Sequence, residues 1–204
     1  PEDAYQQALR QGLVYNVTVP IKKAGAYQFR ISLRDTATDR VGAAGQFIEV
    51  PDLSAGRLAL SGLVLNGTMV TAAGEKPNLA AQNGKVGSGS SAEASPAVRH
   101  FRQGMFLEFG LLIYNPRLDN ATGKPQLKTQ IKLLRDGQQV FAGDELPFDP
   151  RSQTDMSRLS ATGALQLGTD LPPGEYVFQI IVTDVLADHK HRTAAQWMDF
   201  EIVK

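Results

Sequence analysis

The chain contains no cysteine. Thiol nucleophiles, disulfide frameworks and thiolate metal sites are thereby excluded, though the compartment is not fixed by that absence. Aromatic residues make up only 7%, with a single tryptophan, so an aromatic binding platform has little to draw on. No charge surplus exists either: Lys+Arg and Asp+Glu both total 21. A nucleic-acid binder usually carries a basic surplus or stripe, and no nucleic-acid partner is expected here. No apolar run approaches the roughly 20 residues that cross a bilayer, so no membrane insertion is expected. The chain opens Pro1-Glu2-Asp3, without Met or a signal peptide, and reads as a fragment of something longer.

What is present is the composition of a globular protein. The 204 residues are 42% hydrophobic and 21% charged, which argues against overall disorder and suits one large or two ordinary domains.

The informative feature is a repeat. Lys23–Asp35 reads KAGAYQFRISLRD, and Pro172–Asp184 reads PPGEYVFQIIVTD. Gly25, Tyr27, Phe29, Ile31, Leu33 and Asp35 match Gly174, Tyr176, Phe178, Ile180, Val182 and Asp184 at a constant offset of 149 residues (176 − 27). Each copy alternates with a period of two, the signature of a half-buried β-strand. By that alternation Tyr27, Phe29, Tyr176 and Phe178 are assigned to core faces. A turn and a second strand follow each copy, so the repeated unit is a β-hairpin. Phe47 matched to Phe200 gives the second hairpin four extra residues (153 − 149).

A Gly-x-Tyr that opens an alternating strand after a corner has a physical use in immunoglobulin-like sandwiches. The Tyr ring near the start of strand F packs in the core while its hydroxyl reaches back to a backbone group. Tyr27 and Tyr176 are accordingly read as structural tyrosine corners, and the two hairpins as F–G pairs. The predicted fold is all-β: an immunoglobulin-like (fibronectin III-like) β-sandwich, with an incomplete second sandwich at the N-terminus.

Residues 1–50 hold a short helix at 2–10, a strand over Leu13–Pro20 and the first hairpin. That is about three strands where a sandwich typically has about seven, so this segment is the C-terminal part of a domain. Its earlier strands are expected upstream, or else its apolar face packs on the second domain. Open strand edges in such a half-domain invite pairing between chains, so a dimer is also expected as an outcome. Residues 51–56 form a linker, and residues 57–204 a complete sandwich. Strands are predicted at Arg57–Leu65, Met105–Tyr114, Gln126–Leu134, Gln138–Ala142, Gly163–Leu167, Glu175–Asp184 and Ala194–Val203. Asp136-Gly137 suits the positive φ angles of a type I′ turn. The Gly/Ser-rich stretch near 71–100 is expected to be a mobile loop.

Taken together, GAYQFRISLRD, VGAAGQFIEVPDL, GRLALSGLVL, FGLLIYNPR, GKPQL, LPPGEYVFQIIVTD and TAAQWMDFEIV resemble the C-terminal β region of the von Willebrand factor A-related domain proteins of acidobacteria. The resemblance covers almost the whole chain. It implies a secreted, periplasmic or cell-surface location and an adhesive or scaffolding role beside an A-type domain, with no enzyme activity in this region. The A-domain motif Asp-x-Ser-x-Ser finds its nearest match at Asp155–Leu159, where Leu159 stands in place of the second Ser. No metal site is carried over.

Other candidates for chemistry each have a plainer reading. His189 and His191 in an extended segment would share a face and could hold a metal; the favoured reading is a polar hairpin turn between strands F and G, since no other ligands are recruited in sequence. His100 stands alone. Asp119 and Asn120, and Asp149 and Asp155, are loop oxygens of the kind that bind calcium, without the dense spacing of a dedicated loop. Asp144 and Glu145 are adjacent and do not converge if they lie on a strand. No Gly-x-Ser-x-Gly elbow occurs, and GSGSS at Gly87–Ser91 lies in low complexity. No cofactor and no catalytic residue is assigned. Trp197 is expected near the core or the domain junction.

Two functions remain in view. The first is a non-catalytic, extracytoplasmic spacer or adhesion module with a protein partner. The alternative is a carbohydrate-binding accessory sandwich, which requires exposed aromatics among Tyr114, Phe148 and Trp197.

Overall fold

A computed structural model describes residues 6, 17–69, 94–96 and 98–204. Apart from Gln6, the helix expected at 2–10 lies outside the described residues, as do Gly87–Ser91 and most of the loop near 71–100. The fold is all-β. Among the described residues, twelve strands form three sheets: β1 (Gly25–Arg34), β2 (Val41–Val50), β3 (Ala59–Leu60), β4 (Val64–Thr68), β5 (His100–Arg102), β6 (Phe106–Tyr114), β7 (Leu127–Arg135), β8 (Gln138–Ala142), β9 (Leu146–Phe148), β10 (Arg158–Gln166), β11 (Gly174–Asp184) and β12 (Thr193–Val203). Val17–Pro20, expected to end a strand, has no regular structure.

β1 and β2 form a hairpin sheet of their own. In the second sheet β6 is central, with β10 on one edge and β3 and β4 in succession on the other. The third runs β5-β12-β11-β7-β8, with β9 also against β7. All pairs are antiparallel except β5 with β12, which is parallel.

The second and third sheets enclose one apolar core. β6 sends Leu107, Leu111 and Ile113 inward, and β11 sends Tyr176, Phe178, Ile180 and Val182. The Phe109 and Phe178 rings meet across the sheets with centroids 5.2 Å apart. The sequence of β10 makes room for that contact. Gly163 lies opposite Phe109 in the ladder, and a Cβ at Gly163 would run into the Phe109 ring.

Several strand limits differ from the sequence expectation. Arg57–Leu65 is two strands, because Ser61 interrupts the ladder. Its hydroxyl accepts the Leu112 N–H at 2.8 Å, while its own N–H donates to Leu112 O at 2.9 Å. β10 begins at Arg158, five residues before the expected Gly163, because Leu159 and Ala161 also alternate into the core. β5 and β9 were not anticipated. β5 carries Phe101, which is fully buried and edge-on to Phe200. The β7–β8 turn has Asp136 at φ 52° and Gly137 at φ 75°, the two positive angles a type I′ turn needs.

The segment after β2 is ordered. Leu53–Ala55 is one turn of 3-10 helix, capped by the Asp52 side chain at its start and by left-handed Gly56 at its end. Asn115, after β6, donates its side-chain N–H to Leu53 O at 2.8 Å. This bond ties the 3-10 turn to the segment that follows β6.

Candidate functional site

The two hairpins agree in detail beyond their sequences. Gly25 and Gly174 both have φ 141°, an angle that L side chains rarely adopt. Tyr27 donates its hydroxyl hydrogen to Lys23 O at 2.8 Å, and Tyr176 donates to Pro172 O at 2.7 Å, each four residues back. At the other end, the Asp35 and Asp184 carboxylates accept the N–H two residues on, from Ala37 at 2.9 Å and Leu186 at 3.0 Å. The N–H groups of Asp35 and Asp184 donate to Arg40 O and Arg192 O.

Register corrects one detail of the repeat. Ile48 lies opposite Tyr27, and Phe200 opposite Tyr176. These partners are 152 residues apart (200 − 48) against 149 for the tyrosines, so the second hairpin carries three extra residues, not four. Phe47 pairs with Gln28 on the other face and is 68% exposed. Matching Phe47 to Phe200 shifts the alignment of the second strand by one residue, and a one-residue shift flips every side chain to the other face.

The surroundings of the two hairpins differ sharply. Tyr176 and Phe178 are buried, and the Arg135 guanidinium lies over the Tyr176 ring at 5.5 Å while touching its hydroxyl. Tyr27 is only half-buried, and Phe29, Ile31 and Leu33 are exposed. The core assignment made for Tyr27 and Phe29 from alternation is therefore not met among the described residues.

Other candidate residues occupy structural positions. His189 and His191 lie in the turn between β11 and β12, not in an extended segment, so the two-residue spacing does not give them a common face. The adjacent Asp188 carboxylate meets Arg117 at 3.3 Å. Among the described residues, no group of three or more His, Asp or Glu side chains is placed to hold a metal ion. Asp119 accepts the N–H groups of Ala121 and Thr122, Asp149 that of Arg151, and Asp155 the N–H and hydroxyl of Ser157. Each closes its own turn. Glu145 faces Lys128. His100, which alone in sequence suggested nothing, meets Glu201 at 3.3 Å across the β5–β12 pair.

The Thr122 N–H, then that of Ala121, holds the Asp119 carboxyl below the usual aspartate range. A depressed folded-state pKa stabilises the fold above the unfolded-state pKa and is lost as pH falls through the folded value. The Asp119 turn should thus begin to weaken below about pH 4. A carbon-13 NMR titration should place the Asp119 midpoint below that of an Asp in a short peptide. An equal midpoint contradicts the assignment.

A hollow of about 460 Å³ opens on the outer face of the large sheet, bordered by Arg99, His100, Glu175, Asp199 and Glu201. That volume suits a small ligand. However, Glu201 is engaged by His100, and Asp199 by Arg99 at 3.5 Å. The Glu175–Glu201 cross-strand pair was missed because it depends on hairpin register. Further along β12, Trp197 is 63% exposed, opposite Gln179, in place of the expected core or junction position. Tyr114 is half-buried on the other sheet, and Phe148 packs against the core, so neither extends a surface from Trp197.

Among the described residues, no helix is long and apolar enough to cross a membrane. Comparison with known protein families and with curated proteins returned no match.

Proposed function

We propose that the chain is a non-catalytic extracytoplasmic spacer or adhesion module of tandem immunoglobulin-like domains, following a von Willebrand A-type domain. The single observation that carries this reading is the duplicated hairpin, matched in glycine angle, tyrosine hydrogen bond and aspartate turn. A module written twice along one chain is what an extended, domain-by-domain architecture requires. The strand order supports the sandwich type: β10-β6-β3/β4 corresponds to E-B-A, and β12-β11-β7 to G-F-C. The Tyr176 hydroxyl bond at the start of β11 fits the tyrosine corner of strand F. The location and the A-domain neighbour rest on the sequence resemblance. The bond from Asn115 to Leu53 supports a stiff connection, which a spacer needs.

The test exploits the absence of native cysteine. Spin labels at Ala55→Cys and Gln138→Cys, both exposed positions, report the linker against the sandwich. One narrow distance distribution is expected, broadening with Asn115→Ala. A broad distribution in the parent protein defeats the spacer reading.

The exposure of Trp197 favours a second reading, a carbohydrate-binding accessory sandwich. As the sole tryptophan, its fluorescence reports any stacked sugar. Unchanged emission across a panel of oligosaccharides removes this alternative.

A further inference from the structure

Among the described residues, the apolar face of the first hairpin lacks the neighbours that its duplicate has. In β11–β12 the cross-strand pairs Tyr176–Phe200, Phe178–Met198 and Val182–Ala194 face inward. In β1–β2 the corresponding pairs are Tyr27–Ile48, Phe29–Gln46 and Leu33–Gly42. Residue type is kept along β1, while on β2 Gln46 and Gly42 stand where β12 has Met198 and Ala194; covering is not kept, since Phe178 is 0% exposed and Phe29 38%, and Val182 is 0% exposed and Leu33 70%. The edge differs in the same way. β11 is flanked by β12 and by antiparallel β7, whereas among the described residues β1 pairs with β2 alone.

The duplicate also defines what fits. The second hairpin is covered by an antiparallel sheet whose central strand, β6, presents Leu107, Phe109, Leu111 and Ile113. A loop beyond that strand closes the contact, where the Arg117 N–H donates to Asp184 Oδ2 at 2.7 Å. In the first hairpin the matching oxygen, Asp35 Oδ2, accepts the exposed Thr38 hydroxyl from its own turn. All the covering strands of the second hairpin precede it in sequence.

We infer that the face formed by Tyr27, Phe29, Ile31, Leu33 and Ile48, with the free edge of β1, is a docking surface for an aliphatic antiparallel β-sheet. That sheet is supplied by polypeptide N-terminal to β1. One strand adds antiparallel to β1 as β7 adds to β11, and an apolar sheet closes over the face as β6 does. A backbone N–H from its loop reaches Asp35. The inference rests on the tandem-domain reading, but the linker distances test that reading separately.

The experiment compares hydrogen exchange at the amides of β1 in two proteins: this chain, and the gene product extended by whatever coding sequence precedes residue 1. Light scattering reports the mass of each. Protection of β1 that rises about tenfold or more in the extended, monomeric protein is expected, with loss of that gain in Phe29→Asp. Phe29→Asp adds a charge on an exposed hairpin, so the second sandwich still reports folding through β11. Three results overturn the inference: strong protection already present in this chain as a monomer; protection that appears only with doubled mass, which identifies a second copy as the occupant; or no gain on extension.

Discussion

Replacing Phe178 by Ala is expected to cost about 3–5 kcal/mol, while the same change at the duplicate position, Phe29→Ala, should stay within about 0.5 kcal/mol. The two side chains share sequence context, strand position and hairpin register. They differ in what lies above the ring. Phe178 is fully buried, in contact with Phe109 of the facing sheet and with Leu133 and Met198 on its cross-strand neighbours. Removing it takes away dispersion contacts and leaves a cavity that close-packed sheets refill only in part. Phe29 already meets solvent over more than a third of its surface, so truncation opens no void. Urea unfolding of the two variants against the parent chain measures both numbers. A cost at Phe29 comparable to that at Phe178 would show the first hairpin to be covered within this chain.

The contrast defines how far the sequence could be read. Gly-x-Tyr, the alternation after it and the aspartate that ends it are local features. Each leaves a fixed mark on the backbone, visible in the repeated φ of 141° and the repeated tyrosine bonds. Burial is not local. A period of two separates the faces of a strand without saying whether another sheet exists to cover one. Tyr27 and Phe29 were assigned to a core on that ground, and their surroundings differ. Trp197 fails for a related reason: a large apolar residue is usually inside, yet the β12 register puts it on the outer face opposite Gln179. Short strands were least legible. β5 has three residues and is held by parallel pairing to β12, a partner about a hundred positions away. Ser61 broke a predicted strand because its side chain competes for a ladder hydrogen bond. At the candidate site, the loop aspartates offered oxygens in sequence without the dense spacing of a calcium loop. Once folded, Asp119 and Asp155 accept N–H groups from their own turns, a use of Asp that sequence spacing does not separate from metal binding.

Asp184 provides the second large effect. The residue is 1% exposed, and its carboxylate accepts two backbone N–H bonds, from Leu186 in its own turn and from Arg117 in the loop that follows β6. The second bond joins the end of β11 to the segment that leaves the facing sheet. Asp184→Ala removes the shared acceptor of two part-buried bonds, and an unsatisfied buried donor costs about 1–3 kcal/mol. A loss of about 2–4 kcal/mol is expected from the pair. Asp184→Asn retains one acceptor oxygen but turns an amide N–H₂ toward the other donor, so it should fall between the parent and the Ala variant. At the duplicate position, Asp35 accepts from Ala37 and the Thr38 hydroxyl in an exposed turn. Water replaces both acceptors there, and Asp35→Ala should change stability by no more than about 0.5 kcal/mol. Denaturant midpoints for the three variants decide the matter. If Asp184→Ala costs as little as Asp35→Ala, the bond to Arg117 is not a fixed tie between the sheets. If Asp184→Ala is costly and Asp184→Asn intermediate, the same turn chemistry has become structural where a second sheet stands against it.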